Sequence, residues 1–219
     1  MGYSIAIDGP CGSGKSTVAR LIAGRLGFMF VDTGAMYRVV ALHCVNVGAD
    51  GEEAVETALE NMRLSITYKN GEQRVSLGGE DVTDAIRAPE ISKASSKVAA
   101  LRKVRDKMVE QQRLIAANEN VVMDGRDIGD RVLPDATLKI YLDAELKRRA
   151  ERRFNELASK GIDVSLNNVY KEIEERDYRD LNRTESPLRV AKDAVVINTE
   201  RMSPEEVTDV IEAMFKKRI

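Results

Sequence analysis

Gly9-Pro10-Cys11-Gly12-Ser13-Gly14-Lys15-Ser16 decides the fold. The stretch has the form Gly-x4-Gly-Lys-Ser, a phosphate-binding P-loop. Its glycines let the backbone wrap a polyphosphate with the N–H groups turned inward. Lys15 supplies a point charge near the β- and γ-phosphates, and Ser16 supplies a hydroxyl suited to Mg²⁺. Gly9, Pro10, Cys11, Gly12, Ser13, Gly14, Lys15, Ser16 and Thr17 are therefore the expected contacts of a nucleoside triphosphate. The flanks match the motif. Tyr3 to Asp8 is a short strand-like run, and Val18, Leu21, Ile22 and Leu26 recur at helical spacing before Gly27.

Working outward, further short apolar segments look like buried parallel strands: Ile5 to Asp8, Val121 to Asp124, Leu138 to Leu142, Ala194 to Asn198 and Phe28 to Asp32. Helical patterns separate them, which predicts an α/β fold with a central parallel sheet flanked by helices. Ser203-Pro204-Glu205-Glu206 marks the start of a last helix by N-cap, first-turn proline and capping-box glutamate. Two stretches break the alternation. Leu64 to Val82 reads as antiparallel strands around an Asn70-Gly71 hairpin turn. Residues 145 to 183 are rich in arginine interleaved with acids, which reads for most of those charges as solvated helices carrying surface ion pairs.

The 219 residues suffice for one sizeable core. A net charge of -2 gives no reason to expect nucleic-acid binding. No apolar run approaches the ~20 residues of a membrane span. The start of the chain is a strand leading into the P-loop rather than a signal peptide, and Cys11 and Cys44 have no metal-like or redox spacing. A reducing cytoplasm and a monomer are the expectations.

Asp124 ends an apolar strand, where an acid beside a P-loop holds Mg²⁺ or its waters; a turn or N-cap role is the alternative. Arg126, in Asp124-Gly125-Arg126-Asp127, is placed to clamp a phosphate bidentately. Asp32-Thr33-Gly34-Ala35-Met36-Tyr37-Arg38 leads into a helix with Arg38 toward a second anion, unless Thr33 is only its N-cap. Arg176, Asp180 and Arg183 fall at i, i+4 and i+7 of a helix. An aspartate accepts from the cytosine N4 amino group and an arginine donates to N3 and O2. An intrahelical salt bridge explains the same pair.

Together, Ile7-Asp8-Gly9-Pro10, the P-loop, Asp32 to Arg38, Asp124 to Asp127 and Glu175 to Asp180 resemble the bacterial cytidylate kinases, in register over nearly the whole chain. The resemblance implies a P-loop kinase with an acceptor-binding insertion at about 62–97 and a helical lid at about 150–183, within a single domain of residues 1–219. It implies transfer of the γ-phosphoryl group of ATP to CMP or dCMP, with Mg²⁺. Thr33, Tyr37, Arg38, Ser96, Arg105, Arg126, Asp127, Asp180 and Arg183 are then the acceptor site. Arg38, Arg105 and Arg126 hold its phosphate, Asp180, Arg183 and Ser96 read the base, and Asp127 meets the ribose. Ser95 adjoins Ser96, so that serine role falls on one of the two. Lys15, Arg126, Arg176 and Arg179 are the catalytic set, and Ser16 and Asp124 the metal-holding pair. The rivals are a kinase for thymidylate or shikimate and a non-enzymatic nucleotide switch. No Asn-Lys-x-Asp motif of guanine-reading switches occurs.

Overall fold

A computed structural model describes residues 2–69 and 71–219. The chain runs β1 (Ser4–Asp8), α1 (Lys15–Leu26), β2 (Met29–Asp32), α2 (Thr33–Val47), α3 (Glu52–Asn61), β3 (Leu64–Lys69), β4 (Glu72–Leu77) and the short β5 (Glu80–Asp81). Next come a 3₁₀ turn (Ala85–Arg87), α4 (Pro89–Val98), α5 (Arg102–Asn118), β6 (Val121–Asp124), a π-helical turn (Ile128–Val132) and β7 (Leu138–Asp143). The chain ends with α6 (Leu146–Ser159), α7 (Leu166–Asn182), β8 (Val195–Asn198) and α8 (Pro204–Lys216).

Five strands form a parallel sheet in the order β2-β6-β1-β7-β8. The central strands are apolar on both faces because helices cover both. Ile5, Ile7, Val122, Leu138 and Ile140 pack under α1 and α8 with Val18, Ile22, Ile211 and Phe215, while Ala6, Val31, Val121 and Met123 face Val109 of α5. The expected strand at Ala194 to Asn198 is the sheet edge rather than a buried strand, and Val196 stays exposed there. α8 starts with the reciprocal capping box of Ser203 and Glu206.

Parallel register brings the carboxyl ends of three adjacent strands level. Ile7 lies opposite Asp124, and Asp124 opposite Asp32, so Asp8, Asp32 and Asp124 crowd the carboxyl end of the sheet. The P-loop crosses that end. At Gly9, φ is 147° and an added Cβ would sit 2.1 Å from the Leu142 carbonyl oxygen, so only glycine lets β1 turn into the loop against β7.

The predicted antiparallel insertion is present: β3 pairs with β4 from Leu64↔Leu77 to Lys69↔Glu72. Asn70 of the expected turn lies outside the described residues. Tyr68 and Gln73 tie this sheet to the core. Tyr68 Oη donates to the Phe30 carbonyl, and Gln73 holds both main-chain groups of Asp32. α6 and α7 form a helical hairpin around Ala150, Leu157, Val169 and Ile173.

α7 departs from the expected single face. It ends at Asn182, and Arg183 is its extended C-cap (φ −66°, ψ 141°). The chain then folds back until the Leu188 N–H donates to the Asp180 carbonyl at 2.7 Å, which carries Arg183 off the helix before it can stack over Asp180.

Candidate active site

The donor side is built on the P-loop and the ends of β1 and β6. Lys15 is buried, and its Nζ is folded onto the loop, donating to the Pro10 carbonyl at 2.6 Å and to Ser13 Oγ at 3.3 Å. Burial, reinforced by the nearby Arg126 charge, holds the Lys15 ammonium below the usual lysine range. Ser16 Oγ donates to Asp124 Oδ2 at 2.5 Å. The other oxygen, Asp124 Oδ1, is buried and has no hydrogen-bond partner among the described residues. Burial first, and Asp32 second, raise the Asp124 carboxyl above its ordinary range.

Asp124 caps no helix; beyond it the main chain turns at Gly125, where a Cβ would meet Ile128 Cδ1 at 2.6 Å and Thr33 Oγ1 at 2.8 Å. The turn is held from beneath by Asp8, whose carboxylate accepts the N–H groups of Ile128 and Gly129, each at 2.8 Å. Burial pushes the Asp8 carboxyl up to about 7 despite those bonds. Sequence reasoning used Asp8 only as part of a motif. A lone acid closing an otherwise apolar buried strand is the signal that marked it.

Asp32, not Thr33, caps α2: its Oδ1 accepts the Ala35 N–H at 2.9 Å. Thr33 Oγ1 donates instead to the Asp124 carbonyl at 2.7 Å, tying β2 to β6. Arg38 reaches toward Asp32 at 3.9 Å, and its Nη1 is buried without a hydrogen-bond partner.

The residues expected at the acceptor assemble as two crossed acid–arginine pairs. Arg126 Nε donates to Asp180 Oδ2 at 2.9 Å. Arg105 pairs with Asp127, at 3% and 5% exposure, and also donates to the Ala99 carbonyl at 3.1 Å. The Arg105 guanidinium lies 5.5 Å over the Tyr37 ring. Arg183 turns to Asp127 (3.8 Å) and to the Ser186 carbonyl. Thus the expected Asp180–Arg183 contact is replaced by Arg126–Asp180 and Arg183–Asp127. Burial raises the Asp180 carboxyl, but Arg126, Arg176 and Arg183 outweigh it and hold the group ionised below the ordinary range. Ser95 Oγ is spent on the Ser92 carbonyl at 2.7 Å, whereas Ser96 Oγ is buried with no partner, which singles out Ser96 as the free hydroxyl.

Arg176 joins α7 to α4 through Ser92 Oγ at 3.5 Å, and among the described residues its Nε has no hydrogen-bond partner. Arg179 does not reach the crevice; its Nε bonds the Glu175 carbonyl of its own helix. Arg149, expected on a solvated face, is buried at the P-loop with Asp177. The missed signal is register. Leu146, Arg149, Ala150 and Leu157 share one stripe of α6, and Val169, Ile173, Asp177 and Asp180 one stripe of α7.

Among the described residues no helix is long and apolar enough to cross a membrane. The family model described as cytidylate kinase matches residues 5–217. A protein of Caldicellulosiruptor bescii bearing that name is 45% identical over 216 residues, covering 98% of this chain and 96% of its own. One from Thermotoga sp. strain RQ2, with the same name, is 46% identical over 222 residues, covering 100% and 99%. A solved structure of an uncharacterized protein from Eubacterium ventriosum superposes with a TM-score of 0.52 at 13% identity over 98% of both chains, a likeness of fold alone.

Proposed function

The chain belongs to the cytidylate kinase family: it is a kinase that transfers the γ-phosphoryl group of ATP to CMP or dCMP, and we propose the following division of labour among its side chains. The observation that carries it is the pair of crossed acid–arginine contacts, Arg126–Asp180 and Arg105–Asp127, beside the P-loop.

An oxygen of the acceptor monophosphate attacks the γ-phosphorus in line, the bond from that phosphorus to the β–γ bridging oxygen breaks, and ADP leaves. The attacking group is already an anion, so positioning and charge neutralisation supply the rate rather than a general base. The loop from Gly9 to Thr17 and Lys15 hold the donor. Lys15 swings from the Pro10 carbonyl to the β- and γ-phosphates. Arg126 and Arg38 hold the acceptor phosphate, and Arg176 meets the transferring group. Arg179 joins only if α7 rotates further into the crevice. The unpartnered Asp124 Oδ1 beside the Ser16 hydroxyl is the donor set a hard divalent cation takes, so these two residues would hold Mg²⁺. When bound, that ion supplies neutralisation of the phosphate charge.

A nucleotide carries its phosphate and base at opposite ends. Asp180 is bonded to the phosphate clamp Arg126 and belongs near the ribose. Asp127, held by Arg105 and approached by Arg183, belongs at the base, with the free Ser96 hydroxyl. A carboxylate there accepts from N4 of cytosine, and the arginines donate to O2 and N3. This exchanges the roles that the family resemblance implied for Asp127 and Asp180 and moves Arg105 from the phosphate to the base. Residues 62–97 and 150–183 are read as the moving acceptor and lid segments. The free thiols of Cys11 and Cys44 suit a reducing cytoplasm.

A coupled ADP-release assay across CMP, dCMP, UMP, dTMP and shikimate tests the reading. CMP or dCMP is expected to give the highest kcat/KM. Preference for dTMP or shikimate overturns it, and absence of ADP with every acceptor favours the nucleotide-switch alternative.

A further inference from the structure

Both main-chain polar groups of Cys11, at the apex of the P-loop, are held by side chains of the lid helices. Asp177 Oδ1 on α7 accepts the Cys11 N–H at 3.1 Å. Arg149 Nη1 on α6 donates to the Cys11 carbonyl at 2.8 Å and to Asp177 Oδ2 at 2.5 Å. Arg149 Nε donates to the Ala144 carbonyl at 2.8 Å, where the chain leaves β7. One guanidinium fork and one carboxylate thus join four segments of chain.

We propose that Arg149 and Asp177 are positioning residues that clamp the P-loop apex to the lid, so that the loop keeps its donor-holding shape only while α6 and α7 are seated on it. The proposal rests on the kinase reading above and extends it to the coupling of lid and loop.

Three observations support it. The two charges are 6% and 9% exposed. Burying such a pair contributes little or nothing to stability compared with an apolar pair of similar volume, so what it supplies is direction rather than adhesion. The loop is also seated sterically. Gly12 has φ 76°, and a Cβ there would lie 3.1 Å from the Arg149 carbonyl oxygen, while the Cys11 side chain packs on the apolar centre of the lid. Finally, Asp177 directly follows Arg176. The placement of α7 that carries Arg176 to the acceptor side is the same one that seats Asp177 on the loop.

Arg149→Lys and Asp177→Asn test the clamp. Lysine keeps the charge, but a single ammonium cannot reproduce the fork to Ala144, Cys11 and Asp177. Asparagine keeps the shape and loses the charge. Each variant is assayed for kcat and KM with CMP. Without nucleotide, the rate of iodoacetamide alkylation is read at Cys11 and Cys44 separately by mass spectrometry. The clamp predicts that kcat falls about 10- to 100-fold, the cost of a reactant displaced by roughly an ångström. KM for CMP should stay within about threefold, because these residues act on the donor loop. Cys11 should alkylate severalfold faster while the buried Cys44 does not change. Unchanged Cys11 reactivity in both variants overturns the clamp. So does faster reaction of both cysteines together, which marks general loosening, or a faster Cys11 with kcat intact. The alkylation needs no turnover, so failure of the kinase reading shows separately, as wild-type enzyme that releases no ADP with CMP.

Discussion

Asp127→Asn is the sharpest test of how the acceptor base is read. The substitution keeps the shape of a side chain that is 5% exposed and replaces one carboxylate oxygen by an NH₂ group. At the base it exchanges a charged acceptor for a donor. Loss of a charged hydrogen bond to the cytosine N4 amino group costs ~1.5–3 kcal/mol. That is about 10- to 150-fold in kcat/KM for CMP. Uracil has a carbonyl where cytosine has the amino group, so the new NH₂ group matches it. The CMP/UMP ratio of kcat/KM should therefore fall by at least about tenfold, whatever happens to overall activity. The fold is affected separately. Arg105 is 3% exposed and loses its ion partner but keeps the Ala99 carbonyl at 3.1 Å and an amide oxygen at position 127. The lower limit for breaking a buried pair, ~3 kcal/mol, then applies, which lowers the melting midpoint by about 6–12 °C in a domain of this size. Because both acceptors are assayed on the same variant below that midpoint, the ratio is independent of stability. An unchanged ratio, with CMP and UMP losing equally, refutes base reading by Asp127. The companion Asp180→Ala should lower both acceptors equally; selective loss of CMP there returns the base to Asp180.

Lys15→Met should abolish turnover while leaving the melting midpoint unchanged or higher, because the ammonium is buried and its charge is disfavoured there; measurable turnover would remove Lys15 from the mechanism. Asp8 binds its proton more tightly in the folded chain, near 7, than at its ordinary 3.8, so the folded state carries more protons between those values and stability falls as pH rises through that window, by roughly 4 kcal/mol. Asp8→Asn should flatten the decline in melting midpoint between pH 5 and pH 8, and parallel curves for the two proteins would reject the assignment. Ser16→Ala should raise the Mg²⁺ concentration for half-maximal rate about tenfold or more, as removal of a group that holds the ion or its waters does; an unaltered Mg²⁺ titration would place the ion elsewhere.

The strand, P-loop and first helix were legible because their information is local. Strand, glycine-rich turn, lysine and helix follow one another within residues 4–26, and each step is set by the chain geometry of its neighbours. The strands were legible for the same reason, apart from β8, whose apolar run does not distinguish an edge from a centre. The residues expected at the acceptor do come together in the fold, but their pairing was not legible. Arg126 and Asp180 are 54 positions apart, and Arg105 and Asp127 are 22 apart, on different elements. Spacing favoured Asp180 with Arg183 because it assumed that the helix continued. The fold-back that bonds Leu188 to Asp180 ended it one residue too soon. Arg149 was obscured by its neighbours, the exposed Arg148 and the half-buried Arg153, which pair with acids of their own helix. A charge on the apolar stripe of a helix is worth more attention than its charged surroundings suggest, since it stays there only with a partner.

The crossed pairs also solve an electrostatic problem of the acceptor side. A buried guanidinium with no counterion is costly, and one exposed to water must shed that water when substrate enters. Arg126 avoids both states by resting on Asp180. Under the role proposed for it, Arg126 exchanges one anion for another when a monophosphate arrives, and its charge is never unpaired. The released Asp180 carboxylate then requires a donor, and a ribose hydroxyl beside that phosphate is one. Arg38 follows a different rule. Its Nη1 is buried, lies 3.9 Å from Asp32 and makes no hydrogen bond, so it gains a phosphate oxygen without displacing any partner. In the proposed mechanism Arg38 therefore contributes affinity for the acceptor phosphate, whereas Arg126 contributes register between phosphate and ribose. The two arginines are then not interchangeable, although the family resemblance implied the same role for both.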